Sequence, residues 1–251
     1  MVNERLLKSL INPELRKEGK RHDGRRRDQY RDFEVLIGVV ERAQGSALVR
    51  LGKTHVLAVV HGPYEAPRHV ALPDRAILNV VYRTVTYAVM KRKKPTISKR
   101  ERELSRIIRE ALEGVVFLDR YPRSQIDVYV YVISSHGGSR TTGCTAAALA
   151  LADAGIPMKD LVIGLAGGKV EGHVVVDLDD IEDKIGDADL PLMYLPNLKK
   201  LSMIQADGIF TRDELIAAVR AVVDRIEKGL YPTIRETIMR KYGSDSDVYD
   251  R

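Results

Sequence analysis

But for Asp127, the segment from Ile126 to Ile133 is a run of β-branched residues and Tyr, and such a run is expected to form a strand covered on both of its faces. It runs directly into Ser134-Ser135-His136-Gly137-Gly138-Ser139-Arg140, beyond which Thr145 to Asp153 is Ala-rich and helical. Gly155 and Pro157 then follow in the usual order for a helix stop. A strand, a glycine loop and a helix in direct succession are therefore fixed at the centre of the chain.

The remaining elements arrange themselves around that unit. Glu34 to Val40, Ser46 to Leu51, Thr54 to Val60 and Ala76 to Tyr82 read as antiparallel strands punctuated by Gly and Pro. Ser98-Lys99-Arg100-Glu101 matches a capping box, and Leu104, Ile107, Ile108, Ala111 and Leu112 behind it recur at helical spacing. Strands are expected over Leu161 to Ala166, His173 to Leu178 and Leu201 to Gln205, with an apolar run from Leu190 to Leu195. Thr211-Arg212-Asp213-Glu214 opens a second capped helix that reaches Ile226. Strands followed by helices, twice over, predict an α+β chain of two similar halves in one compact body, since no Gly/Ser-rich linker divides it.

Composition narrows the function classes. The purest apolar stretches, Ala146 to Ala152 and Val128 to Ile133, fall far short of the ~18 residues a membrane span needs. Met-Val-Asn-Glu-Arg at the start lacks the apolar run of a secretory signal, so the expected location is intracellular. The single cysteine, Cys144, can form neither an internal disulfide nor a multi-cysteine zinc site. A net charge of +6 conceals a split: residues 1–100 carry 22 Lys and Arg against 10 Asp and Glu, whereas the rest carry 19 against 25. The split suggests a basic surface for a polyanion and a separate acidic cluster, although solvated faces would give the same count.

Three constellations could carry chemistry. Gly137-Gly138-Ser139-Arg140 at a strand-to-helix junction can aim backbone N–H groups, a helix start, a hydroxyl and a guanidinium at one anion, best a phosphate. Taken alone it fits an ordinary glycine turn with an exposed Arg equally well. Lys99 and Arg100 put cations where the helix dipole prefers acids, a choice expected where an anion binds and also compatible with a solvated basic turn. Seven carboxylates lie between Asp177 and Asp189, with Asp183 and Asp189 framing the last part. An acidic surface loop is the plain alternative, but so many acids invite a cation or a proton-donating role. Together the three describe a site where inorganic phosphate could attack a phosphodiester with help from an acid or a divalent metal.

This combination resembles the RNase PH family of phosphate-dependent exoribonucleases, in the branch that supplies catalytic subunits to archaeal exosomes. The likeness runs from His22-Asp23-Gly24-Arg25 to about Lys228. It includes Ala71-Leu72-Pro73-Asp74-Arg75, Tyr121-Pro122-Arg123-Ser124-Gln125-Ile126-Asp127, Gly138-Ser139-Arg140, Asp153-Ala154-Gly155-Ile156-Pro157-Met158, and Asp183 with Asp189. The resemblance implies two ribosomal-protein-like βαβ halves, similar to ribosomal protein S5 domain 2, within a catalytic domain over 21–230. A basic arm would precede it over 1–20, and a C-terminal helix and tail would follow over 231–251.

By the same resemblance Gly138, Ser139, Arg140 and Arg100 hold phosphate, and Asp183 and Asp189 are the catalytic carboxylates, one the general acid and the other a metal or positioning ligand. Lys99, Arg68, His69 and Arg75 meet RNA. His136 and Lys99 depart from the family pattern, which often has Asp and Arg there. The implied reaction is stepwise 3′-to-5′ phosphorolysis with inorganic phosphate as co-substrate and Mg²⁺ as the expected metal, reversible into tailing from nucleoside diphosphates. The implied partners are single-stranded RNA 3′ ends, an inactive homologue alternating in a hexameric ring, and a cap of S1/KH or zinc-containing subunits, all in the cytoplasm. A homohexameric tRNA-trimming RNase PH and a non-catalytic ring subunit are the alternatives.

Overall fold

The computed structural model describes residues 20–90 and 93–243. The basic arm up to residue 19, Lys91, Arg92 and the tail from residue 244 lie outside the described residues. Buried and half-buried residues alternate along β2 (Gly45–Leu51) and β3 (Thr54–Glu65), the pattern of strands with one face on a core. They pair antiparallel through the tight turn at Gly52 and Lys53. β1 (Phe33–Ile37) flanks β2, ending before Val40 because Gly38 turns the chain at φ +72°. β4 (Ile77–Thr84) and β5 (Ser124–Ser134) complete a five-stranded sheet in the order β1-β2-β3-β5-β4. β4 and β5 run parallel, and helix α1 (Lys99–Glu113) makes the crossover between them.

The second sheet holds β6 (Ile163–Val170), β7 (His173–Val176), β8 (Ala188–Leu195), β9 (Lys200–Ile204) and β10 (Asp207–Gly208), all paired antiparallel. The parallel β–α–β unit thus belongs to the first half, while the second half keeps the sheet-and-helix layers with antiparallel pairing. Helix α2 (Ser139–Asp153) is buried on every side from Thr141 to Leu151, so it has no polar stripe. It lies against both sheets. A Cβ on Gly45 of β2 would come 2.2 Å from the Ala150 carbonyl, and one on Gly164 of β6 would come 2.6 Å from that of Thr141. Only glycine lets both strands approach this closely. Short helix α3 (Asp180–Ile185), α4 (Arg212–Arg225) and α5 (Tyr231–Tyr242) follow, the last two joined by a π-helical stretch over Ile226–Leu230. No described helix is long and apolar enough to cross a membrane.

Part of the charge split is internal. Arg21 is buried and donates from Nε to Glu182 (2.7 Å) and from its terminal nitrogens to the carbonyls of Val176 (2.6 Å) and Asp177 (2.7 Å). The wholly buried Asp177 carboxylate accepts from the Arg31 backbone N–H (2.8 Å) and side chain (2.6 Å), and from Arg25 (3.2 Å). The basic surface for a polyanion expected from the first hundred residues therefore loses these three arginines to the acids of the second half. Burying either charge without the other would be far more costly.

Candidate active site

The loop ahead of α2 is set by backbone conformation. Gly137 and Gly138 both have positive φ, +85° and +69°, and Gly138 caps the helix with no side-chain bond of its own. The helix starts at Ser139, six residues earlier than the Ala-rich run predicts, because the hydroxyls of Thr141 and Thr142 both return to the Gly138 carbonyl at 2.9 Å. From the other side, Thr54 Oγ1 donates to the Gly137 carbonyl (2.7 Å) and accepts from the His136 N–H (2.9 Å). Arg31 donates to the His136 carbonyl as well. The cradle is thereby held open at the start of a fully buried helix, whose dipole favours an anion there.

A cavity of about 380 Å³ sits over it. Gly138, Ser139, Arg140, Arg100, Asp183 and Asp189 all line this one space, so residues up to 89 positions apart in sequence converge. Arg100 arrives on the first turn of α1, where the capping box is complete: Ser98 Oγ accepts from the Glu101 N–H (3.2 Å), and Glu101 accepts from the Ser98 N–H (2.8 Å). Burial alone would raise the Glu101 pKa, yet Lys93 and the N–H groups of Ser98 and Thr84 hold it at about 2. Lys93 also lines the cavity.

Asp183 arrives on α3 and Asp189 on β8, opposite Gly168 of β6. The acidic stretch is thus largely a helix start. Asp179 accepts from the N–H groups of Ile181 (2.9 Å) and Glu182 (3.0 Å), and Glu182 reaches back to the Asp179 N–H (3.2 Å). This third capping box was legible in Asp179-Asp180-Ile181-Glu182, where the density of acids masked it. Desolvation by the surrounding protein pushes the Asp183 carboxyl above its ordinary value, against the pull of Arg100 and Arg140. Asp189 rises for the same reason, and the nearby negative charge of Asp183 adds to it. Two acids raised in this way beside two guanidiniums can donate protons or accept a cation.

Other predicted residues lie elsewhere. Lys99 is exposed and does not line the cavity. Arg68, His69 and Arg75 are exposed on the loop between β3 and β4, pinned where the Ala66 N–H meets the Arg123 carbonyl (2.9 Å) and the Arg123 N–H meets the Leu72 carbonyl (2.8 Å). That loop flanks the start of β5, whereas the cradle follows its end. At ~3.3 Å per residue the strand separates the two by roughly 30 Å. Sequence reasoning missed Thr54 and Arg31 below the cradle, Gln205, to which Arg140 donates, and Tyr82, whose hydroxyl donates to Ser139 Oγ at 3.0 Å. Among the described residues, one cluster brings three potential metal donors within reach, His22, Asp23 and Asp179. Its groups are already engaged: Asp23 holds Arg25 (2.6 Å), and Asp179 caps α3 while pairing with His22 (2.7 Å).

Residues 29–157 match the family model described as 3′ exoribonuclease family, domain 1, and residues 160–221 match domain 2 of the same family. The exosome complex component Rrp41 of Pyrobaculum aerophilum is 46% identical over 240 residues, covering 94% of this chain and 97% of that protein. Its counterpart from Thermococcus onnurineus is 45% identical over 225 residues, covering 89% and 90%. Among solved structures, rice Rrp46 is similar with a TM-score of 0.78 at 25% identity, over 87% of this chain and all of that one. The Archaeoglobus fulgidus exosome with RNA bound to the active site also gives 0.78, at 22% identity, over 95% of this chain and all of the matched chain, a likeness of fold. With both halves matched in order and the relatives aligned almost end to end, this chain belongs to the RNase PH family of 3′ exoribonucleases.

Proposed function

We infer that this chain is the catalytic subunit of an exosome-type complex, a phosphorolytic 3′-to-5′ exoribonuclease. The observation that supports this reading best is the shared cavity, in which an anion cradle with Arg140 and Arg100 stands together with two carboxyls of raised pKa. Inorganic phosphate, held by the N–H groups of the α2 start, Ser139 and the two arginines, attacks the phosphorus of the last phosphodiester. A bond forms from a phosphate oxygen to that phosphorus, and the bond from phosphorus to the 3′ oxygen of the preceding nucleotide breaks. A nucleoside 5′-diphosphate leaves. The shortened RNA takes a proton on its 3′ oxygen, given by Asp183 or Asp189, whose carboxyls burial shifts towards the protonated form. The reverse reaction extends RNA from nucleoside diphosphates.

Mg²⁺ fits this donor set. Mg²⁺ typically keeps several waters and takes one or two carboxylates plus substrate phosphates, which is what a pair without a third protein ligand can offer. When bound, it would neutralise charge on the phosphates. RNA reaches the site past Arg68, His69 and Arg75, with Lys99 nearer the cavity as a further backbone contact. The working form is a hexameric ring shared with an inactive RNase PH-like homologue, under a cap of S1/KH or zinc-containing subunits, in the cytoplasm.

The test is to supply 3′-extended RNA, phosphate and Mg²⁺ to the full chain, alone and with its ring partner, and to identify the products. Nucleoside diphosphates are expected; monophosphates would mean that water is the nucleophile. Arg140→Glu should abolish the reaction while the thermal midpoint stays close to that of the parent, because it places a carboxylate where the phosphate must sit.

A further inference from the structure

Among the described residues Tyr82 is the one phenol lining the cavity, and it is 2% exposed. It sits near the end of β4, fixed by a backbone bond from its N–H to Ser105 Oγ of α1 (2.9 Å). Its ring is close enough to α2 that a Cβ on Gly143 would come within 3.3 Å of it. Its hydroxyl has two hydroxyl neighbours, Ser139 of the cradle and Thr84 further along β4.

We propose that Tyr82 is a positioning residue for the phosphate co-substrate, donating its only proton to Ser139 Oγ so that the Ser139 hydroxyl must turn its own proton towards the bound phosphate. The proposal rests on the phosphate role of the cradle. A serine hydroxyl carries one donor and can accept from two directions. Left free it rotates, and some of its orientations point the lone pairs at the anion, which is repulsive. A donor held at 3.0 Å behind it removes those orientations. The phenol oxygen that donates to Ser139 can still accept, and the Thr84 hydroxyl is its other neighbour. Burial raises the phenol's pKa and so favours its protonated form, even though the Ser139 and Thr84 hydroxyls and, less strongly, Arg100 and Arg140 pull the other way. An ionised Tyr82 could only accept and would turn Ser139 the wrong way round.

The experiment compares Tyr82→Phe, Ser139→Ala and the double variant in the full chain, assembled as its activity requires, and reads KM for inorganic phosphate, affinity for RNA and the thermal midpoint. Tyr82→Phe keeps the ring and loses only the donor. It should raise KM for phosphate by about three- to tenfold, the worth of one hydrogen bond, with RNA affinity unchanged. The decisive arm is the double variant, which should match Ser139→Ala alone, because the phenol acts only through that hydroxyl. Effects that add, or a parallel loss of RNA affinity and stability, would make Tyr82 a packing residue and overturn the proposal. An unaltered Tyr82→Phe beside an impaired Ser139→Ala would also overturn it while leaving the cradle in place. If Ser139→Ala itself has no effect on phosphate, the reading of the cradle fails first.

Discussion

Asp183 and Asp189 carry opposing demands. In the proposed reaction their carboxyls act on phosphates beside two guanidiniums, and the same protein wall that forms the cavity raises their pKa. For Asp183 the sign follows directly. A folded-state pKa above the ordinary 3.8 means that the folded chain binds more protons than the unfolded one in the window just above 3.8, so stability declines as pH rises through it and stays lower at neutral pH. Asp183→Asn should therefore melt higher than the parent at pH 7, with the gap narrowing towards pH 4, while single-turnover phosphorolysis falls by about a hundredfold or more. Thermal scans at both pH values and a rapid-mixing assay check the two halves of this expectation; a variant that is both less stable and fully active would contradict it. Asp183, Asp189 and Arg140, which line one cavity, could be singled out in the sequence because their residue types and spacing are local. Tyr82, Thr54 and Gln205 were not legible, because each acts through a partner 57, 83 or 65 positions away, and no local spacing encodes such a pair.

At the scale of elements, α3 is six residues long and cannot hold its shape by its own hydrogen bonds. It is held by its Asp179 cap and by the buried pair of Glu182 with Arg21, reaching back 161 positions. Arg21→Met should destabilise the chain by up to about 3–5 kcal/mol in urea denaturation, since Glu182 would lose its hydrogen-bonded partner and keep only the longer contact to Arg25 at 3.7 Å. Adding Glu182→Leu should recover a large part of that loss, which a purely steric role for Arg21 would not allow. Because Asp183 rides on the same turn, Arg21→Met should also slow turnover at saturating RNA. The elements themselves were mostly legible: both predicted capping boxes are formed, and β1, β2 and β3 pair antiparallel as expected, whereas β4, expected in the same antiparallel run, lies parallel to β5, and β5, expected to be covered on both faces, leaves Tyr131 exposed on one. What shifted were ends and faces. β3 runs on to Glu65 through an irregular register past His61, and α2, with no polar face to reveal its period, began earlier than its composition suggested.

For the whole molecule, the basic surface left to meet a polyanion is smaller than the charge count implies, because Arg21, Arg25 and Arg31 are consumed internally. RNA affinity should still fall steeply with salt, by a log–log slope of about −0.7 for each phosphate contacted. Arg68→Ala and Arg75→Ala should each make that slope shallower by about 0.7, whereas Arg26→Ala, exposed and paired with Asp28, should leave it unaltered. Titrations at several salt concentrations decide the point, and a flat response in the parent would remove RNA from the reading. The position of α2 between the two sheets has a different consequence, for the order in which the chain is made. A ribosome that has released residue 157 has supplied the first sheet and a helix whose side towards the second sheet is still bare, and the strand that presses Gly164 against Thr141 has yet to emerge. The amino-terminal half must therefore wait, exposed, for its sequel, and a gene split between the two halves should give fragments that are insoluble apart and active only when synthesised together.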